Sequence, residues 1–233
     1  MLLGSKKIEK DIRERLQSDI RIDRAEIKVS VADGEVTLSG FVPTYLARQA
    51  AQMDARAVPN VNAVRNDLLV RHTNELSDEY IGARIKNVLD WSADVDASMI
   101  NLSVKAGAVF FEGSVKSYWE KIKAEELVSS VEGVVGIDNG LIVIPSLAYE
   151  DHVIGENIIN ALDKNVYIDP HVVKVFVKVE SGKIVLSGNV PTWAAYDAIL
   201  NIAQCTPGVV DVVDRLIVGA ISGYNSQIPV QKV

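Results

Sequence analysis

Gly34-Glu35-Val36-Thr37-Leu38-Ser39-Gly40-Phe41-Val42-Pro43-Thr44 decides the fold, because this stretch occurs three times. Its copies are Gly107-Ala108-Val109-Phe110-Phe111-Glu112-Gly113-Ser114-Val115-Lys116-Ser117 and Gly182-Lys183-Ile184-Val185-Leu186-Ser187-Gly188-Asn189-Val190-Pro191-Thr192. Each copy reads as a turn glycine, an alternating strand, a second glycine and a Ser or Thr placed to open a helix. Upstream of the first copy, Ile27-Lys28-Val29-Ser30-Val31 alternates as a half-buried strand does. Asp33-Gly34 supplies the tight turn between the two strands, since glycine accepts positive φ. Further upstream, Ile8, Ile12 and Leu16 form one apolar stripe of an amphipathic helix. Downstream, Thr44 is placed to cap a helix over the Ala-rich 46–57 stretch. Pro59-Asn60 ends that helix, and Val61, Val64, Leu68 and Val70 make a closing strand.

The same succession recurs at an offset of 73, with Ile81, Ile85 and Leu89 for the stripe and Ser117 to Glu120 as a capping box. The third copy keeps that offset through Ile154, Ile158, Leu162 and Asp169 and then runs at 75 from the second, which suggests a hairpin two residues longer through Glu180-Ser181-Gly182. Strands joined by a tight turn are antiparallel, and strands joined through a helix favour a parallel right-handed crossover. The expected fold class is therefore α+β: three tandem αββαβ units, each a three-stranded mixed sheet with two helices packed on one face. The units are expected at 6–72, 77–145 and 150–219, with a loose tail at 220–233. Gly40, Gly113 and Gly188 are the structural glycines, where a bend or a close backbone approach is expected.

Apolar residues make up 48% of the 233 and charged residues 24%, an ordinary globular balance. The net charge of −7 argues against a nucleic-acid partner. Net charge is +2 over 1–72, −6 over 73–146 and −3 over 147–233, so the first unit is best suited to an anionic surface. No apolar run is long enough for a transmembrane segment. The N-terminal residues do not read as a secretory signal, so the expected location is cytoplasmic, or periplasmic if a signal segment was removed. The single cysteine, Cys205, allows no internal disulfide and is expected as a small buried residue at a helix end.

Chemistry-bearing patterns are sparse. His72, His152 and His171 lack zinc-ligand spacing. Serines and histidines form no nucleophile–base pair, and the glycines match no phosphate-binding loop, so no enzyme, cofactor or metal is expected. Asp23, Asp96 and Asp169 recur at one position, which fits either a turn that binds its own backbone or a hard-cation site. Tyr45, Tyr118 and Trp193 follow the caps of the three second helices. They are candidates for lipid or partner contact at a membrane interface, or else cover the edge of their own core. On the sheet faces away from the helices, Phe110, Phe176 and Val185 stand where the first unit has Thr37, Ser30 and Thr37. They are expected in an interface between units or between chains, with a ligand-facing patch as the other reading.

The tandem glycine-marked copies resemble the BON domain, a bacterial module of osmotically inducible periplasmic and nodulation proteins. The resemblance covers nearly the whole chain, carried by the amphipathic first helix, the Gly40, Gly113 and Gly188 positions and the closing strands at 61–70, 134–143 and 209–218. It implies the αββαβ fold and a non-catalytic binding or scaffold role at phospholipid membrane or cell-envelope partners under osmotic stress. An anionic phospholipid surface or an envelope protein would then be the partner; the apolar residues on the sheet faces separately allow for a homo-oligomer. The alternative implied by the family is a cytoplasmic, ion-responsive stress protein of the potassium-binding kind.

Overall fold

The computed structural model describes residues 2–23, 25–71, 76–169 and 172–219. The expected tail at 220–233, His72 and His171 lie outside the described residues. The first unit comprises α1 (Leu2–Ser18), β1 (Glu26–Ala32), β2 (Glu35–Val42), α2 (Tyr45–Arg56) and β3 (Ala63–Val70). The second comprises α3 (Asp78–Asp90), β4 (Ile100–Lys105), β5 (Ala108–Val115), α4 (Tyr118–Ser129), β6 (Gly136–Asn139) and β7 (Ile142–Val143). The third comprises α5 (Asp151–Asp163), β8 (Lys174–Glu180), β9 (Lys183–Val190), α6 (Trp193–Cys205) and β10 (Asp211–Val218).

Each sheet is mixed. β1 runs antiparallel to β2, with Val29 opposite Leu38, and β3 runs parallel to β2, with Val64 opposite Val36. The second and third units repeat this around β5 and β9 as central strands. In the second unit the closing strand is interrupted at Gly140-Leu141, which splits it into β6 and β7. Alternation on the central strands turns Val36, Leu38 and Val42 inward, and Val109, Phe111 and Val115 likewise. Ile184, Leu186 and Val190 complete the pattern. The first-helix stripes pack onto these strands through Ile12 and Leu16, Ile81 and Ile85, and Ile154 and Ile158. In α2 the buried face is Ala47, Ala50, Ala51 and Ala55, and such small side chains let the helix lie close to its sheet.

The third hairpin is not longer than the others. Glu180 pairs with Lys183 across a two-residue turn, just as Ala32 pairs with Glu35 and Lys105 with Ala108. Gly113 faces Ile100 and Gly188 faces Val175, so the offset of 75 already holds at the start of β8. The two extra residues therefore lie ahead of that strand. Register, which ladder pairing fixes, then aligns Phe176 with Asn101 and Lys28 rather than with Ser30.

The second glycine of each copy has a steric cause. Gly40, Gly113 and Gly188 have φ of 119°, 109° and 137°. A Cβ there would lie 2.0 Å from the Glu26 carbonyl oxygen, 2.0 Å from that of Met99 and 2.1 Å from that of Lys174. The carbonyl leading into the first strand thus occupies the space a side chain would need, and only glycine also accepts the backbone angle cheaply. Gly113→Ala is expected to destabilise the chain by about 2 kcal/mol or more, read as a drop in the urea midpoint. A nearby surface change such as Lys105→Ala should stay within about 0.5 kcal/mol.

Candidate functional site

The second helices open alike. Thr44, Ser117 and Thr192 accept the backbone N–H of Ala47, Glu120 and Ala195 at 3.0, 3.1 and 3.2 Å. The Glu120 carboxylate returns to the Lys116 N–H at 3.4 Å, one residue ahead of the cap. Each cap fixes the direction of the aromatic residue that follows it, and each aromatic leaves its own unit. Tyr45 packs against the core of the second unit, and Tyr118 against that of the third. Trp193 reaches the first, where its Nε1–H donates to the Val61 carbonyl at 3.0 Å. The Arg56 guanidinium of the first unit lies 4.3 Å from the Trp193 ring centre and 6.0 Å from that of Tyr196. Trp193 and Tyr196 meet edge to face at 4.9 Å. The edge each aromatic covers belongs to a neighbouring unit.

First to second, second to third and third to first, these contacts have one sense and close on themselves. A head-to-tail contact that closes after three steps amounts to an approximate threefold axis. Along the first seam lies an open cleft of about 660 Å³, lined by Tyr45, Arg48, Gln52, Asn66, Ile122 and Glu125. Burial raises the pKa of the Tyr45 hydroxyl and of the Glu125 carboxyl.

The sheet faces turn away from these seams. Phe110 of the second unit is 38% exposed and Phe176 of the third 60%, with Val185 half-buried on the same sheet as Phe176. The loops between each first helix and first strand are more exposed still. Ile20, Trp91 and Val166 stand 90%, 88% and 91% exposed. Sequence reasoning passed over them because no alternation or stripe marks them. The signal was an apolar residue in the same connecting loop of all three copies. Cys205, expected buried, is exposed at the end of α6, because the buried stripe there is Ala195, Ile199 and Ala203 and the next turn points outward.

The aspartates mostly bind backbone. Asp96 caps the 3₁₀ turn Ala97–Met99, accepting from the Ser98 N–H at 3.2 Å, and Lys116 Nζ approaches it at 2.6 Å. Those bonds, the one from Lys116 foremost, hold its carboxyl far below the usual range. In the first unit a separate 3₁₀ turn, Ile20–Ile22, lies ahead of Asp23 and is capped by Asp19, which accepts from the Arg21 N–H at 2.8 Å. Asp169 holds Val172 and Val173 through its backbone carbonyl. Among the described residues no three His, Cys, Asp or Glu side chains converge as metal ligands would. His152 lies exposed at the start of α5, with Nδ1 3.3 Å from Glu150.

A further tie went unread in the sequence. Asp78, in the first turn of α3, accepts the N–H groups of Ala106 and Gly107 at 2.8 and 2.9 Å. Asp151 does the same for Ser181 and Gly182, both at 2.8 Å. Each carboxylate clamps the hairpin turn to the first helix. The recurrence of Asp78 at the offset of 73 as Asp151 was the available signal, and the first unit has Ser5 there.

Two outcomes are expected. Trp193→Ala should weaken the closing seam by about 1–3 kcal/mol in equilibrium unfolding, and Trp193→Phe, which keeps a ring but loses the bond to Val61, by about 1 kcal/mol. Asp19 is held at about 2, against an ordinary value of 3.8, chiefly by its hydrogen bonds from Arg21. A depressed folded pKa contributes stability above the unfolded value and loses it as pH falls. Asp19→Asn should therefore lower the unfolding midpoint at neutral pH, and the difference from the parent chain should shrink between pH 3.8 and about 2.

Comparison with known proteins found similar chains among curated proteins and solved structures, and a family model that matches. Osmotically-inducible protein Y of Escherichia coli (strain K12) is 28% identical over 136 residues, covering 56% of this chain and 68% of that protein. Among solved structures, CdsD, a structural protein of the type III secretion system of Chlamydia trachomatis, covers 91% of this chain and 92% of its own at 15% identity and a TM-score of 0.25. The C-terminal domain of CdsD covers 91% and 96% at 16% identity and the same TM-score of 0.25. Neither structural likeness bears on how the units are arranged here. The family model described as BON domain matches residues 5–72, 77–145 and 150–220, one match on each αββαβ unit. With nearly its whole length matched, the chain belongs to the BON domain family.

Proposed function

We propose that the chain is a non-catalytic binding module that docks on a phospholipid surface at the cell envelope under osmotic stress. The observation that carries this reading is the set of loop tips at Ile20, Trp91 and Val166, each about nine-tenths exposed. On this reading the approximate threefold closure turns the three connecting loops to one side, with the apolar residue at the same place in the first and third and two residues earlier in the second. Three apolar side chains on one side suit a surface better than a pocket. Burying such a side chain fully gains about 1.5–3 kcal/mol. Contacts engaged on one surface also reinforce each other through effective concentration. Tyr45, Tyr118 and Trp193 were the first candidates for lipid contact, but their rings are engaged with neighbouring units, so the loop tips take that role. The osmotic context rests on family membership and on the likeness to osmotically-inducible protein Y.

Co-flotation with liposomes of phosphatidylglycerol in phosphatidylcholine tests the reading. The parent chain is expected to float, and a chain with Ile20, Trp91 and Val166 replaced by Ser to stay at the bottom of the gradient with its circular dichroism unchanged. Failure of the parent to float at low salt, or flotation that survives the triple substitution, overturns it.

A further inference from the structure

We infer that the cleft at the first seam binds a small zwitterion, an α-amino acid with an apolar side chain. The two walls of the cleft carry opposite charge. Arg48 comes from α2 of the first unit and Glu125 from α4 of the second, and both are half-buried. They do not satisfy each other. Arg48 Nη2 donates to the Asn66 carbonyl at 3.3 Å, which uses one of the five guanidinium N–H groups. The Glu125 carboxylate accepts a long bond of 3.5 Å from the Asn139 amide. Lys121 lies near Glu125, but its Nζ is committed to the Leu141 carbonyl at 2.8 Å. Glu126, on the same wall, is bridged by Lys123 at 3.0 Å. The Tyr45 hydroxyl lies within reach of both walls. Burial foremost and the Glu125 charge raise its pKa, the Arg48 charge opposes them, and no hydrogen bond contributes.

An α-amino acid matches each part of this lining. Its carboxylate suits Arg48, because a planar guanidinium takes a carboxylate through two parallel N–H groups. Its ammonium suits Glu125, whose partly desolvated charge has no strong partner of its own. Its side chain meets the Tyr45 ring, Met53 and Ile122. The cleft volume of about 660 Å³ falls within the range usual for small-molecule sites. The other two seams do not repeat the arrangement. At the place of Arg48 the second unit has Lys121, tied to Leu141, and the third has Tyr196. The rings of Tyr196 and Trp193 already lie under Arg56. One site per chain is therefore expected, built from residues other than the loop tips assigned to lipid.

Isothermal titration of the full chain with L-leucine tests the inference. Two analogues each lack one charge: 3-methylbutylamine has no carboxylate and 4-methylpentanoate no ammonium. Leucine should saturate one site with a Kd of about 1 mM or tighter, and each analogue should bind about tenfold more weakly or worse. Arg48→Gln should bring leucine down to the level of 3-methylbutylamine, and Glu125→Gln to that of 4-methylpentanoate. Leucine should also raise the unfolding midpoint of the parent chain by mass action. The parent's preference for leucine over its analogues is read without any variant, so a folding defect in a substituted chain does not decide the outcome. No saturable heat below about 20 mM leucine, analogues that bind as tightly as leucine, or folded variants that bind leucine like the parent overturn the inference. So does tighter binding of glycerophosphoethanolamine, which carries an ammonium and a phosphate without an apolar side chain and would make the cleft a lipid-headgroup site.

Discussion

An aromatic ring one residue past a helix cap carries each unit of this chain onto the next. The cap sets the ring's direction, because Thr44, Ser117 or Thr192 holds the first turn through a backbone N–H. The following side chain then leaves its own core and covers the edge of a neighbour's. A unit of this size buries too little apolar surface to stand firmly alone. Sharing an aromatic across each seam adds buried area without enlarging any one core. Closure also leaves no unit with an uncovered seam, which an open row of three would have at each end.

The three seams share geometry and differ in chemistry. Tyr45 meets a wall that includes Ile122 and Glu125. Burial raises the Tyr118 hydroxyl, and Asp211 of the third unit adds to that rise. Trp193 binds a carbonyl with its indole N–H and stacks under Arg56. The closing seam joins residues far apart in the chain. A cation over an indole, together with one directed hydrogen bond, suits a contact that no short linker enforces. The features retained in all three units, by contrast, are those that fold each unit, the caps and the strand-end glycines, while the aspartate clamp on the hairpin turn is kept in the second and third.

Much of the architecture was legible because its signals are local. Alternation, the turn glycines and the Ser or Thr caps each act within a few residues, and threefold repetition separates them from chance. The misreadings arose where a longer-range partner decided the outcome. The two extra residues of the third unit were assigned to its hairpin, yet ladder register places them ahead of β8. Phe176 was aligned with Ser30 for the same reason and belongs with Lys28. Cys205 faces outward because the helix has turned past its buried stripe by that residue.

By itself the sequence determined the secondary structure, the mixed sheets and the demand for glycine at Gly40, Gly113 and Gly188. Those follow from backbone sterics and from periodicities of 2 and about 3.6 that any reader can count along the chain. Only the tertiary structure decided what Tyr45, Tyr118 and Trp193 touch, and that Ile20, Trp91 and Val166 stand exposed. The physical reason is that a side chain's partner across a seam depends on how separate units are rotated against one another. That rotation comes from packing complementarity between surfaces, and no spacing within a unit encodes it.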